Sequence, residues 1–358
     1  MSWLLAFLGF AALILLHELG HFVAAKAVGM RVERFSVFFP PLIWKIRRGE
    51  TEYGLGAIPL GGYVRITGMN PADDIPPEVA HRAYYRQAVW KRIVTIAAGP
   101  AVNIVLAFLL LWGLYLANGY AVPSTKIFAV ERGQAASGVL RPGDRIVAVD
   151  GLRGDQQSLG KRIAAHACPQ QPPTKGCKAA TPVGITFLRD GREHTAKLTS
   201  AYDPVTQKMR IGVEFGTQQH PLNAAGAARE GGRTMWGVTS ATVKTIGGIF
   251  KASNRKQVSS VVGAYETTRE SFQFGATQAL FLLAVVSLSL GVVNLFPFLP
   301  LDGGHIFWAL AEKVRGRAIP FSIMERAGFV GFALIIGLFA IGLTNDVGRL
   351  TGEGFGVR

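Results

Sequence analysis

Residues 17–21 read His17-Glu18-Leu19-Gly20-His21, an H-E-x-x-H pattern. On a helix, positions i and i+4 share a face, so two imidazoles at this spacing can bind one zinc ion without any special loop. Glu18 projects beside them, where a carboxylate can accept a proton from a zinc-activated water. Seven histidines in 358 residues make a chance match of this kind rarer than about one in a hundred chains. The plainer reading is polar side chains packed between helices. The surroundings oppose it. The motif lies inside the apolar run Trp3–Ala25, and ionisable groups in such a run are costly and mark function.

Two histidines leave a catalytic zinc one ligand short, because such sites use three protein ligands and a water. The missing ligand has to lie at the same depth. Asp302 is the candidate, in Asn294-Leu295-Phe296-Pro297-Phe298-Leu299-Pro300-Leu301-Asp302-Gly303-Gly304. Pro297 and Pro300 each remove a backbone donor and break the helix there. Broken backbone at membrane depth is tolerated where it is buried in protein or faces a watery cavity. A hydrolytic metal needs that environment. Taken alone, Asp302 could instead be a helix N-cap. His305 is the second candidate for the third ligand.

Four apolar runs must position these groups: Trp3–Ala25, Ile93–Ala117, Ala276–Leu299 and Ala327–Leu343. A helix needs about 20 mostly apolar residues to cross a bilayer. Hydrophobic residues make up 49% of the chain and charged ones 17%, against about 25% charge in soluble domains. Disorder, a collagen-like fibre and a coiled coil are excluded as descriptions of the whole. Two cysteines are too few for a disulfide scaffold or a Cys-rich zinc module. The net charge of +15 points to an anionic partner, and the clustering of apolar residues makes that partner the lipid bilayer. The chain carries no nucleic-acid motif to pair with the charge, so no nucleic-acid partner is expected. The first run has no basic stretch before it and no small-x-small cleavage site before its polar cluster, so it reads as a retained anchor rather than a signal peptide.

Basic residues from Lys26 to Arg92, and Lys313, Arg315, Arg317 and Arg326, fill the two short loops. The positive-inside rule places both loops in the cytoplasm and both termini outside. The long segment 118–275 then lies outside too. Within it, Ile127–Glu131, Arg145–Val149, Val183–Leu188 and Met209–Phe215 read as short strands, separated by Pro142-Gly143-Asp144, Asp150-Gly151 and Asp190-Gly191. A β-rich domain over 119–217 is expected. Cys168 and Cys177 flank a Pro/Gly-rich stretch of it, and an oxidising compartment would allow a bridge between them. Residues 218–275 read as a linker with an amphipathic helix, best placed at Met235–Phe250. Residues Glu52–Arg65 alternate apolar residues around Gly61-Gly62 and read as a hairpin.

The first-run HELGH, the later N-x-x-P-x-x-P-L-D-G-G and the segment RPGDRIVAVDG (residues 141–151) together resemble the site-2 protease family of intramembrane zinc metalloproteases. The bacterial branch that includes the regulator-of-sigma-E protease is the most similar, here with a single PDZ domain. The resemblance spans nearly the whole chain. It implies His17, His21 and Asp302 as Zn2+ ligands and Glu18 as general base. It implies that Asn294 binds substrate or stabilises the oxyanion. Gly99-Pro100-Ala101-Val102-Asn103 resembles the family's G-P-x-x-N element, read here mainly as close helix packing with a proline kink. Segments like the one around Gly61 and Gly62 form a sheet near the active site in the family, where a strand edge could hold an unwound substrate by β-augmentation.

The expected fold class is a membrane α-helical core of four transmembrane helices with a β-hairpin or sheet near the active site, plus an extracytoplasmic PDZ-like α+β domain. The expected divisions are 1–118, 119–217, 218–275 and 276–358. The expected activity is hydrolysis of a peptide bond in or near the transmembrane segment of a single-span protein, such as an anti-sigma factor or a signal-peptide remnant. The expected location is the cytoplasmic membrane, multi-pass. Two other classes fit the residues: an intramembrane metal transporter, which would more often show inverted repeats, and a non-catalytic PDZ-bearing adaptor.

Overall fold

The computed structural model describes residues 2–58, 61–70, 73–170, 172–204, 206–249, 251, 255 and 258–352. The chain divides into two compact units, one made of Met1–Ala117 with Asn223–Arg358 and the other of Asn118–Leu222.

Among the described residues, four helices of the first unit are long and apolar enough to cross a membrane. They are α1 (Ser2–Ala27), α2 (Val89–Asn118), α6 (Ala276–Asn294) and α8 (Phe321–Thr351). At 1.5 Å per residue, the 19 residues of α6 reach about 28 Å, close to the thickness of a hydrocarbon core. Large apolar side chains on these helices stay exposed, Phe329 at 75% and Val105 at 56% among them. In water that would be a liability; facing lipid it costs nothing.

Lipid offers no hydrophobic drive between helices, so close packing must come from small residues. A Cβ on Gly20 of α1 would stand 2.6 Å from the Ala98 carbonyl oxygen of α2. A Cβ on Gly291 of α6 would stand 3.0 Å from the Pro100 carbonyl oxygen. Glycine at these points lets α1, α2 and α6 approach backbone to backbone. Ser287 on α6 donates to the Asn103 carbonyl (2.9 Å) and ties the third helix in.

The run Ala276–Leu299 ends as helix at Asn294. Residues 295–301 are irregular, and helix α7 restarts at Asp302–Arg315. Gly303 and Gly304 make this doubling-back feasible, because a Cβ on either would lie within 2.4 Å of the backbone of the irregular stretch.

Between α1 and α2 lies a four-stranded sheet in the order β2-β3-β1-β4. Its strands are β1 (Val32–Ser36), β2 (Phe39–Arg48), β3 (Thr51–Ile58) and β4 (Tyr63–Ile66). This corrects the hairpin expected over Glu52–Arg65. Strands β3 and β4 do not pair. Strand β1 lies between them, parallel to β3 and antiparallel to β4. The hairpin is β2–β3, turned at Gly49 with φ +60°. The Gly61-Gly62 pair opens β4 rather than forming the tight turn. In its middle position β1 buries Val32 and Ser36 fully.

Among the described residues of 218–275, two helices form where one amphipathic helix was expected. Helix α4 (Ala224–Gly247) begins at an Asn223 cap that accepts from Gly226 N, well before the expected Met235. Its expected end, Phe250, lies outside the described residues. Helix α5 (Val261–Phe274) begins at Ser260 and packs on α1 and α6.

The second unit is a six-stranded sheet in the order β12-β5-β6-β8-β9, with the short β7 (Leu152–Arg153) paired to β6. The strands are β5 (Tyr120–Val130), β6 (Arg145–Val149), β8 (Val183–Arg189), β9 (Arg192–Leu198) and β12 (Val213–His220). Helix α3 (Gln156–Ala164) covers it, capped by Asp155. Ile127, Ile146, Leu159 and Ile185 fill the core. The expected strand Met209–Phe215 is two strands, split at Gly212 with φ +79°: β11 (Lys208–Arg210) pairs with β10 (Ala201–Asp203), and β12 joins the main sheet. Asp144 is 3% exposed, and Arg189 grips it through Nε (2.9 Å) and Nη2 (2.7 Å). Cys168 and Cys177 are joined, with Cα atoms 5.9 Å apart.

Candidate metal centre and active site

Helix α1 presents His17 and His21 one turn apart, and both are buried. Asp302 arrives at the first residue of α7, where the positive helix end favours a carboxylate. His17 Nε2 is 3.1 Å from Asp302 Oδ2, His21 Nε2 is 3.3 Å from the same oxygen, and the two Nε2 atoms are 3.2 Å apart. Among the described residues, these three form the group whose donor atoms converge closely enough to hold a metal ion. His305, one turn further along α7, lines the same cavity and stands outside that group.

The donor set fits zinc. Tetrahedral Zn2+ with ligands at about 2.0–2.1 Å has ligand–ligand edges of about 3.3–3.4 Å. The three separations here match those edges within a few tenths of an ångström. Without a metal, three acceptor atoms this close would need a ring N–H among them. The imidazole orientations also suit it. His21 turns Nδ1 toward the Thr95 carbonyl oxygen at 3.0 Å, which leaves Nε2 free to ligate.

The site sits in a cavity of about 800 Å3. Glu18, Asn294, Gly61 and Gly62 line it together with the metal group. Gly62 passes so close to Glu18 that a Cβ there would lie 2.3 Å from Glu18 Cγ. Strand β4, which follows, is an edge strand of its sheet, and Val64 and Ile66 line the cavity. An edge strand carries unpaired backbone donors and acceptors. Ser259, Ser260, Val261 and Ala264 at the start of α5 line another part of the wall, a contribution for which residues 218–275 gave no pattern.

Helix α2 supplies a layer that the sequence reading treated mainly as packing. Thr95, Gly99 and Asn103 recur every four residues and so share a face. Thr95 meets His21, Asn103 Nδ2 lies 3.3 Å from His17 Nδ1, and a Cβ on Gly99 would stand 2.3 Å from His21 Nε2. The signal was present as small and polar residues at helical spacing in an apolar run.

Four membrane-length helices, a buried two-histidine, one-carboxylate donor set and an adjacent glutamate define the class: an integral membrane zinc metalloprotease. Residues 5–338 match peptidase family M50, and the chain belongs to that family, the site-2 proteases. It is 32% identical to the zinc metalloprotease Rip1 of Mycolicibacterium smegmatis, over 93% of this chain and 94% of the relative. It is 30% identical to Rip1 of Mycobacterium tuberculosis, over 93% and 94%. Among solved structures, the PDZ domain of the SdrC-like protein from Listeria innocua is 18% identical and covers 28% of this chain and 99% of that domain, with a TM-score of 0.22. Membership in a protease family sets aside the transporter and adaptor readings.

Proposed function

We propose that His17, His21 and Asp302 hold the zinc of this intramembrane protease and that Glu18 is its general base. The observation that carries the assignment is the convergence of three donor atoms 3.1–3.3 Å apart from helices α1 and α7. Bound there, zinc supplies a Lewis acid for a peptide carbonyl and lowers the pKa of water. Glu18, held against Gly62, takes a proton from water and passes it to the leaving amine. Asn294, at the end of α6, donates its amide to the substrate backbone or to the developing oxyanion.

The substrate is a single-span membrane protein. A helical span hides its amides in its own hydrogen bonds and has to unwind before hydrolysis. The edge of β4, opened by Gly61 and Gly62 beside Glu18, would hold the unwound stretch by backbone pairing. The basic loops of the sequence support a topology with those loops in the cytoplasm and both termini outside. On that topology unit 118–222, read as PDZ-like, lies outside the cytoplasm, where the Cys168–Cys177 bridge is stable.

The test is Glu18→Gln in proteoliposomes carrying a single-span reporter. The variant should keep its zinc and lose cleavage by a factor of at least about 100, within the range of general-base removal. Cleavage at the wild-type rate would overturn the role of Glu18.

A further inference from the structure

We propose that Asn103 is a positioning residue for the zinc ligand His17, accepting the ring Nδ1–H through its side-chain oxygen. The inference rests on the zinc assignment above. Asn103 is fully buried in α2. One end of its amide meets His17 Nδ1 at 3.3 Å. The other end, Oδ1, is buried with no partner. Its backbone carbonyl is occupied by Ser287.

An unpaired buried polar atom costs about 1–3 kcal/mol. A leucine at position 103, in a helix of apolar residues, would avoid that cost. A buried asparagine whose side chain meets a single polar neighbour therefore answers to that neighbour, which is His17.

The direction of the hydrogen bond follows from the metal. Neutral imidazole carries one proton, on one nitrogen. If His17 Nε2 ligates, Nδ1 carries the proton and is a donor. The amide NH2 facing it at 3.3 Å is also a donor, and two donors cannot bond. Half a turn of the amide presents Oδ1 instead, and no partner of Oδ1 resists the rotation. Asn103 then fixes both the ring orientation and the tautomer of His17, as the Thr95 carbonyl does for His21. The opposite orientation, with the amide donating to a bare Nδ1, would put the proton on Nε2 and block ligation.

The two orientations predict opposite behaviour for a carboxylate, which only accepts. Zinc affinity of the purified full-length protein in detergent, measured by chelator competition, is the readout, with apo-protein melting recorded alongside. Asn103→Asp should hold zinc within about threefold of wild type. Asn103→Leu should bind about 10–100-fold more weakly, the usual cost of losing such a partner, while its apo form melts no lower than wild type. Equal affinity in all three proteins would overturn the proposal, as would Asn103→Asp falling as far as Asn103→Leu. A fall in apo melting of Asn103→Leu that matches its loss of zinc would also overturn it, because Asn103 would then be structural. Failure of wild type itself to bind zinc would be failure of the metal assignment, a separate result.

Discussion

His17 Nε2 and Asp302 Oδ2 meet at 3.1 Å across 285 residues of sequence. The contact joins α1 to the helix that restarts after the Pro297–Pro300 break. A metal that bridges such distant segments binds the folded state and not the unfolded one, so it stabilises by mass action. At free zinc one hundred times the dissociation constant, the gain is about 2.7 kcal/mol. Chelation should lower the melting temperature of wild type, and zinc should restore it. Asp302→Ala should melt at one temperature in both conditions. A zinc-dependent shift that survives in Asp302→Ala would move the third ligand, with His305 the next to substitute.

Gly99→Ala sets two effects against each other. In a helix interior, alanine is favoured over glycine by about 1 kcal/mol. Here its Cβ would stand 2.3 Å from His21 Nε2, 2.5 Å from Cε1 and 2.8 Å from Cδ2. The imidazole has to swing away, and its bond to the Thr95 carbonyl goes with it. The variant should fold and lose most of its zinc, measured as metal per chain after gel filtration. Full zinc occupancy would show that α1 and α2 can separate slightly at this crossing.

The convergence of His17, His21 and Asp302 was legible in the sequence because its chemistry is local. H-E-x-x-H needs only a helix, and Pro297 and Pro300 announce irregular backbone just before Asp302. The four spans were legible because length and hydropathy decide them, although α8 extends beyond the expected Ala327–Leu343 at both ends. A sheet near the site was expected, but its strand order was not legible. Strand β1 pairs with β3 and β4 across intervening chain, and nothing in Val32–Ser36 encodes a central position. Strand β2 contains Pro40 and Pro41, which argue against a strand, yet it is an edge strand, where proline is tolerated. The contact between Asn103 and His17 was not legible, because a polar residue in an apolar helix declares a partner without naming it.

Glu50, at the β2–β3 turn, ties the sheet to its neighbours. Arg82 donates to it through Nη1 (2.6 Å) and Nη2 (2.9 Å), and Lys26 through Nζ (2.7 Å). These hydrogen bonds, Arg82 first, hold its carboxyl down at about 2 from an ordinary 4.5. A depressed folded-state value means stability that is fully present above pH 4.5 and lost as the pH falls toward 2. After allowance for solvent screening, the contribution is on the order of 1–2 kcal/mol. Glu50→Gln should be less stable than wild type by that amount at pH 7, and the gap should narrow steadily between pH 4.5 and pH 2 in parallel melts. A gap that stays constant over that range would assign the loss to packing instead.

Asp346 of α8 is fully buried and closes around the start of α5. It accepts from Ser259 Oγ (2.8 Å), Ser260 N (2.7 Å), Ser260 Oγ (2.7 Å) and Gly263 N (3.1 Å). A charge buried on a membrane helix is costly unless its partners are all in place. Here two N–H groups at the helix start and two serine hydroxyls supply four of them, and Arg349 Nη1 adds a cation at 3.1 Å. The backbone fits because Gly342 has no Cβ; one there would lie 2.7 Å from Ser260 N. Ser259 and Ser260 also line the cavity, so the clamp fixes one wall of the active site without touching the metal group. Asp346→Ala should cost about 2–4 kcal/mol, from the lost cap and charge-assisted hydrogen bonds. It should also speed proteolysis at residues 258–263 and leave zinc content unchanged. Zinc lost in proportion to the drop in stability would mean that the start of α5 and the metal site unfold as one unit.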